Sequence, residues 1–134
     1  MKTLASLGLL VLTACGPSVT KVGVHPDSTE FRKRFVEAAQ ERGRDITLED
    51  VPEVQLGEIS ATGTVGLCTW DLQVFLEPQF ATVPTDILEP LVFHEFGHCV
   101  LGKGHSGKGV MATNSIGAAG YQMERDKYLD ELFK

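Results

Sequence analysis

The sequence predicts an α+β fold, with one twisted, mostly β-sheet of four to five strands packed against an N-terminal helix and a second, central helix, and with a further helix at the C-terminus. The chain has 134 residues, which is enough for one domain and too few for two ordinary ones. Its apolar content of 43% and charged content of 22% are those of a soluble globular protein. Two amphipathic helical patterns also enclose a series of short apolar runs, so we expect one domain over residues 19–134.

The first 14 residues are predicted to be a signal peptide rather than part of the fold. The stretch MKTLASLGLLVLTAC has one lysine, an apolar run and then small residues, and it is too short to remain across a bilayer. Its end, LTAC, resembles a bacterial lipobox, in which the signal is cut before the cysteine and the thiol is lipidated. We therefore expect a lipidated Cys15 and a short tether over residues 15–18. The alternative is a plain signal peptide that contains a cysteine.

The residue after the cysteine and the overall charge indicate the surroundings of the protein. Gly16 is similar to the pattern that is sorted to the outer membrane in Gram-negative cells, so we expect an envelope lipoprotein that faces the periplasm or the cell surface. Without residues 1–14 the chain has 11 basic and 18 acidic side chains. Because its largest basic cluster is the Arg32-Lys33-Arg34 triplet, we expect no nucleic-acid partner. We also expect a monomer.

The first half of the domain is predicted to contain a strand, a helix and then shorter strands. VTKVGV, residues 19–24, alternates loosely as a strand does. A helix over 28–42 has Asp27 as its N-cap, buries Phe31 and Phe35, and stops at Gly43. Four apolar runs punctuated by glycine and proline are then expected to be strands of one sheet, at 46–48, 54–59, 64–70 and 72–76. The glycine-rich stretch GEISATGTVG predicts a loop beside an exposed edge strand.

The second half is predicted to be helical. A helix from Thr85 to about Leu101 contains Pro90. Either the first turn of this helix is irregular, or the helix starts with Pro90 in the tolerated first position. A final helix over about 121–133 begins with Tyr121. We expect Tyr121 to pack in the core, and the alternative is that it stabilises an oxyanion. We expect Trp70 to lie in the core or at its rim.

Two cysteines, Cys68 and Cys99, remain in the mature chain. An exported protein with an even number of cysteines favours a disulfide. Free cysteine is also a common buried apolar residue, so two unpaired thiols are the alternative. Three of the four histidines belong to the motif described next. The remaining one, His25, is expected in a turn because Pro26 follows it.

The stretch HEFGH, residues 94–98, carries the strongest chemical signal in the chain. Because residues four apart lie on one face of a helix, His94 and His98 can bind a single metal ion. Glu95 lies about 100° further around the helix, so its carboxylate can reach a water on the metal without being a ligand. A zinc ion lowers the pKa of such a water, and the carboxylate can accept its proton. The helix is otherwise apolar, and buried histidines need partners.

A catalytic zinc ion needs a third protein ligand and keeps its fourth position for water. We expect His105 to be that ligand, because Gly102 can end the helix in the left-handed conformation and Gly104 gives the chain further freedom. The rival ligand is Glu124 in the last helix, and Asp126 is a weaker choice. The sequence therefore predicts one Zn²⁺ per chain.

The stretch HEFGHCVLGKGH followed by GVM resembles the HExxHxxGxxH consensus and the Met-turn of metzincin metallopeptidases. The order of strand, helix, further strands, active-site helix, Met-turn and C-terminal helix is also similar to the upper metzincin subdomain. The sequence is similar, too, to small bacterial lipoproteins described as metallopeptidases, which carry a HELGHCLL-type helix. This chain departs from the consensus in one place: Gly102 follows His98 by four residues rather than three. We expect the glycine-rich turn to absorb that residue.

The resemblance implies a zinc-dependent metallopeptidase in which a metal-activated water hydrolyses a peptide bond and the substrate pairs with the edge strand near Gly63 to Trp70. The implied roles are zinc ligation by His94, His98 and His105, general-base catalysis by Glu95, and the Met-turn position for Met111. One alternative is a non-catalytic zinc-binding envelope lipoprotein, in which a fourth protein ligand closes the site. Another is an amidase that acts on cell-wall peptides through the same ligands.

Overall fold

The computed structural model describes residues 17–114 and 116–134 of the chain. The predicted signal peptide and Cys15 lie outside the described residues. Within those two ranges the fold is α+β, with four α-helices and a four-stranded mixed sheet. The predicted α+β class is therefore confirmed, and the sheet has the smaller of the two expected strand numbers.

The sheet combines parallel and antiparallel pairs. Its strands are β1 (Val19–Val24), β2 (Val54–Ile59), β3 (Gly66–Cys68) and β4 (Val74–Leu76). Their order in space is β1-β2-β4-β3. The β1–β2 and β3–β4 pairs are antiparallel, whereas β2 and β4 are parallel. The short strand β3 is therefore an edge of the sheet, as predicted for this region.

The helices cover the sheet and each other. They are α1 (Ser28–Glu41), α2 (Thr85–Cys99), α3 (Ala118–Met123) and α4 (Arg125–Leu132). Helix α2 contacts β3 and β4, and α1 contacts β2. Among the described residues, no helix combines the length and the apolar character that crossing a membrane requires.

Aromatic side chains join the helices in the core. The ring centroid of Phe35 lies 5.2 Å from that of Phe93, and 5.0 Å from those of Phe96 and Phe133. Phe35, Phe93 and Phe96 are fully buried, so these contacts fix α2 against α1 and the C-terminus. The face of α2 that carries His94 is left for the site.

Three predicted strands differ from the structure. Residues 46–48 are not a strand, because the Thr47 backbone N–H donates to Asp50 Oδ2 at 2.8 Å and begins a short 3₁₀-helix over Leu48–Asp50. The runs at 64–70 and 72–76 shorten to β3 and β4 because residues 69–73 form the turn between them. Trp70 is 90% exposed at this turn, so the prediction of a core or rim position was wrong.

The helix ends also differ in detail. The predicted final helix divides at Glu124, whose backbone (φ −125°, ψ 29°) leaves the helical region and separates α3 from α4. Asp27 occupies the N-cap position of α1, but its side chain makes no capping hydrogen bond. Its backbone N–H instead donates to His25 Nδ1 at 3.0 Å. Pro90 lies inside α2, five positions after Thr85, the first residue of the helix, and the helix continues through it.

One buried carboxylate joins all four helices. Glu89 of α2 is fully buried, and it accepts hydrogen bonds from Arg125 of α4 at 2.7 and 3.1 Å and from the hydroxyl of Tyr121 of α3. Arg34 of α1 approaches it at 3.4 Å. We call these four residues the Glu89 cluster. Burial, and then the hydrogen bond to Glu89, raises the pKa of Tyr121, so its hydroxyl stays protonated and donates.

Candidate metal centre

Three histidine side chains converge beside the C-terminal half of α2. The Nε2 atom of His94 lies 3.1 Å from Nε2 of His98 and 3.2 Å from Nε2 of His105. Within the described residues, these three form the one group of histidine, cysteine and acidic side chains with a geometry that could hold a metal ion. We call them the histidine cluster. The sequence places two of them on one helix, and the structure brings the third from the following loop.

The other ring nitrogens define the protonation of the cluster. His94 Nδ1 lies 2.6 Å from the Val110 carbonyl oxygen, and His98 Nδ1 lies 2.6 Å from the Lys103 carbonyl oxygen. A carbonyl oxygen can only accept, so each Nδ1 donates a proton to it, and in that tautomer of a neutral ring the Nε2 atom carries the lone pair. Two lone pairs at 3.1 Å repel unless a cation lies between them. The arrangement is that of metal-binding imidazoles oriented by backbone carbonyls.

The extra residue after His98 is absorbed at the end of the helix. Helix α2 stops at Cys99, and the Lys103 backbone N–H donates to the Gly97 carbonyl at 2.9 Å, which closes a wide turn. Gly102 has φ +64°, the left-handed conformation predicted for it. The chain then returns over the helix, so that His105 reaches His94 despite the longer spacing.

The loop that carries His105 closes beneath the helix at Met111. The Ser106 backbone N–H donates to the Met111 carbonyl at 2.8 Å, and Met111 is 5% exposed. Its Sδ atom packs on Gly97, where a Cβ atom would overlap it. Gly97 thus leaves the space that Met111 fills below the two helical histidines.

Glu95 lies beside the cluster on a neighbouring face of α2. It is 5% exposed, and burial raises its pKa to about 7, against the opposing effect of a hydrogen bond from the Cys68 backbone. Burial also lowers the pKa of His94, so that ring favours the neutral form. A carboxylate that titrates near neutrality suits a general base.

A disulfide joins Cys68 of β3 to Cys99 of α2, with their Cα atoms 5.7 Å apart. Of the two states that the sequence leaves open, the structure therefore contains the bonded one. The bond fastens the edge strand to the helix that carries the histidines.

A cavity of about 410 Å³ opens beside the histidine cluster. His94, Glu95 and His105 lie on one side of it, and the loop before β3 and the segment after Met111 form the others. Its apolar lining comes mainly from Val65, Pro90, Leu91, Val110 and Ile116. The cavity is large enough for a substrate side chain next to the histidines.

Other candidate residues lie elsewhere. Glu124 stands at the junction of α3 and α4, where its carboxylate lies 3.8 Å from Lys127 Nζ, and it is not a member of the histidine cluster. Tyr121 is fully buried and bonded to Glu89, which agrees with its predicted core position. His25 is buried just before a turn, with its Nε2 2.9 Å from the Phe80 carbonyl oxygen.

Sequence reasoning missed the contacts that orient the site. The carbonyls of Lys103 and Val110 carry no side-chain signal, so only the course of the loop reveals them. Gly66 and Gly97 were detectable in principle, because each is a glycine where a strand or helix former is favoured. Leu91, Glu95 and Cys99 also share one helical face through their spacing of four.

Comparison with protein-family models, curated proteins and solved structures gives no significant match for this chain. The resemblance to metzincins therefore rests on residues 94–111 and stays a prediction.

Proposed function

We propose that this chain is a zinc-dependent metallopeptidase of metzincin-like type. The observation that carries the proposal is the convergence of three histidine Nε2 atoms, two of them fixed as lone-pair donors by backbone carbonyls, next to the buried carboxylate of Glu95. A structural role alone does not explain a buried carboxylate beside three converging imidazole nitrogens.

The ligand set fits zinc. Tetrahedral Zn–N bonds of 2.0–2.1 Å separate two ligand nitrogens by about 3.3 Å, and the observed Nε2 separations are 3.1 and 3.2 Å. Neutral imidazoles suit zinc among the common biological metals, and three protein ligands leave a fourth position for water. Glu124, the residue that would close the site, lies outside the histidine cluster, which favours the peptidase over the non-catalytic lipoprotein.

A bound zinc ion would supply a Lewis acid that polarises a carbonyl and lowers the pKa of a water molecule. Glu95 would accept a proton from the water as the water oxygen attacks the peptide carbon. It would then pass that proton to the nitrogen that leaves when the C–N bond breaks. Its raised pKa matches both roles, since it can accept and release a proton near neutral pH.

The substrate is an extended peptide with an apolar side chain. Strand β3 is an edge, so the main chain of a peptide can pair with it beside Glu95. The apolar lining of the cavity, which includes Val65, Leu91 and Ile116, favours an aliphatic or aromatic side chain next to the cleaved bond. Peptides of the cell wall that present the same groups belong to the test set.

The envelope anchor belongs to the same proposal, and its support comes from the sequence. The lipobox-like LTAC ends at Cys15, and the Ser18 backbone N–H already donates to Ser60 Oγ at 2.8 Å, at the start of β1. The tether is then only a few residues long and holds the domain close to the lipid surface. A Cys15→Ser variant should move from the membrane fraction to the soluble fraction, and unchanged fractionation would refute the anchor.

The test of the enzyme compares two glutamate variants of the domain. Elemental analysis should find one zinc per chain in the wild type and in Glu95→Gln, whereas peptide hydrolysis by Glu95→Gln should fall by about 10²–10⁴-fold. Glu124→Gln, the matched control, should keep both zinc and turnover. Undiminished hydrolysis by Glu95→Gln would refute the mechanism, and loss of zinc from Glu124→Gln would transfer the third ligand to the last helix.

A further inference from the structure

The Cys68–Cys99 disulfide lies next to the candidate general base. Cys99 is the last residue of α2 and Cys68 the last of β3, at a sequence separation of 31. Because residues four apart share a helical face, Cys99 lies one turn beyond Glu95 on the face of α2 that meets β3. The covalent bond therefore fixes the strand directly against the residue that would carry the proton.

Strand β3 leaves no space between its backbone and Glu95. A Cβ atom at Gly66 would lie 3.3 Å from both Cγ and Oε1 of Glu95 and 3.2 Å from Cδ1 of Leu91. Those separations are tighter than ordinary van der Waals contact, so a side chain at this position would displace the carboxylate. The backbone of β3 therefore packs directly against the side chain of Glu95.

The hydrogen-bond pattern of β3 turns one N–H towards that carboxylate. The Val65 carbonyl and the Thr69 N–H bond to the β4 side, at 3.0 and 2.8 Å. Because directions alternate along a strand, Gly66 and Cys68 present their N–H and C=O groups to the free edge. The Cys68 backbone on this side of the strand opposes the rise in the pKa of Glu95, which places the Cys68 N–H near the carboxylate.

We propose that the Cys68–Cys99 disulfide is a positioning device for Glu95, which holds the backbone of β3 against the carboxylate and so keeps that carboxylate oriented to the cavity. The inference rests on the proposed peptidase function. Strand β3 has three residues and is paired on one side only, so its hydrogen bonds to β4 hold it weakly. Without the disulfide the strand can move away from α2, while the histidine cluster, which is held by the loop carbonyls, keeps its geometry.

The kinetic test separates positioning from metal binding. In the double variant Cys68→Ala/Cys99→Ala we expect one zinc per chain, a kcat lower by about 10²-fold and a KM within about twofold of the wild type. Leu129→Ala, a buried residue of α4 away from the site, is the control for lost stability, and its kcat should be unchanged. A double variant with wild-type kcat would overturn the proposal.

A second variant keeps the disulfide and moves the carboxylate. Gly66→Ala introduces a Cβ atom against Glu95, so it should also lower kcat by at least about tenfold and retain zinc. This result would exclude general unfolding as the cause of the lower kcat, because the variant keeps both the disulfide and the zinc. Unchanged kcat in Gly66→Ala would contradict the placement of β3 against the base.

The contact can also be measured without any substrate. Amide hydrogen exchange at position 68, followed by NMR, should accelerate by at least about tenfold in Glu95→Ala and in the double cysteine variant, with the α2 amides unchanged. No acceleration in either variant would overturn the proposal whether or not a peptide is cleaved. Acceleration in a protein that hydrolyses no peptide would support the contact and refute the enzyme.

Discussion

Helix α2 carries two polar clusters, one fully buried around Glu89 and one partly exposed around His94. Around Glu89, the chain supplies its own counter-charges, because two guanidinium groups and a hydroxyl donate to the carboxylate. Around His94, about one and a half turns later, three histidine side chains that could hold a metal ion lie beside the buried carboxylate of Glu95. The charges of the first cluster are matched by the chain itself, and the second cluster could bind a cation.

This difference separates a cluster with matched charges from one that could bind a cation. A buried polar group stabilises a fold when its donors and acceptors match, and it costs stability when they do not. The Glu89 cluster has a residue from each of the four helices and therefore holds them together. The histidine cluster and Glu95 have no such matched set of charges among the described residues, which is the property that the proposed ion binding and catalysis would use.

The largest expected effect breaks the self-completed cluster. Glu89→Ala leaves Arg34, Arg125 and the hydroxyl of Tyr121 without their buried acceptor. Removing one partner of a buried ion pair lowers the free energy of unfolding by about 3–5 kcal/mol, which urea denaturation would measure. The folded variant should still bind one zinc per chain. Loss of zinc from it would show that the two clusters are not independent.

Replacing the other glutamate of α2, Glu95, should change the free energy of unfolding in the opposite direction. Burial raises the pKa of Glu95 from 4.5 to about 7, so the folded metal-free chain binds more protons than the unfolded chain between these values. Its stabilising contribution is complete below about pH 4.5 and is lost as the pH rises through about 7.

At about pH 8, metal-free Glu95→Gln should therefore be more stable than the wild type by up to about 3 kcal/mol. Below about pH 4.5 the two proteins should be alike. Denaturant unfolding at both pH values measures this, and Glu89→Gln is the matched control, which should be destabilised at each. A Glu95→Gln variant less stable than the wild type at high pH would contradict the comparison.

The third effect concerns the ligand that comes from the loop. Zinc affinity, measured by competition with a chromogenic chelator, should fall by about 100-fold or more in His105→Ala. His105 is exposed, so the unfolding free energy of the metal-free protein should change by less than about 0.5 kcal/mol. Undiminished affinity would exclude His105 as a ligand, and a large loss of stability would assign it a structural role.

The smallest effect tests the edge of the Glu89 cluster. Tyr121→Phe removes one hydrogen bond to a buried carboxylate, which should lower the free energy of unfolding by about 1.5 kcal/mol. Peptide turnover should not change, because the hydroxyl is bonded to Glu89 and not directed to the cavity. A fall in kcat at constant stability would instead indicate that Tyr121 acts on the reaction.

The sequence predicts the long, periodic elements of this fold well and the short ones poorly. Strands β1 and β2 have the predicted bounds, and α1 ends one residue before its predicted end. In contrast, a three-residue apolar run such as 46–48 contains no period, and the local hydrogen bond from Thr47 to Asp50 was enough to make it a turn. The last helix was predicted to be continuous because no glycine or proline in the sequence marks the break at Glu124.

The site shows the same limit. His94, Glu95 and His98 lie on one helix, where spacing alone specifies their relative directions. The position of His105 depends on the course of the loop, and the pairing of Cys68 with Cys99 depends on the packing of β3 against α2. The Glu89 cluster was not predicted at all, because its members come from four separate helices.

The two carbonyls that orient the helical histidines have a consequence for how this protein can change over evolution. A carbonyl belongs to every residue, so positions 103 and 110 can exchange their side chains without loss of either hydrogen bond, provided the loop keeps its path. His105 and the left-handed glycines 102 and 109 are the constrained positions of that loop. Descendants of this chain can therefore remodel the loop next to the cavity while the orientation of the two histidine rings persists.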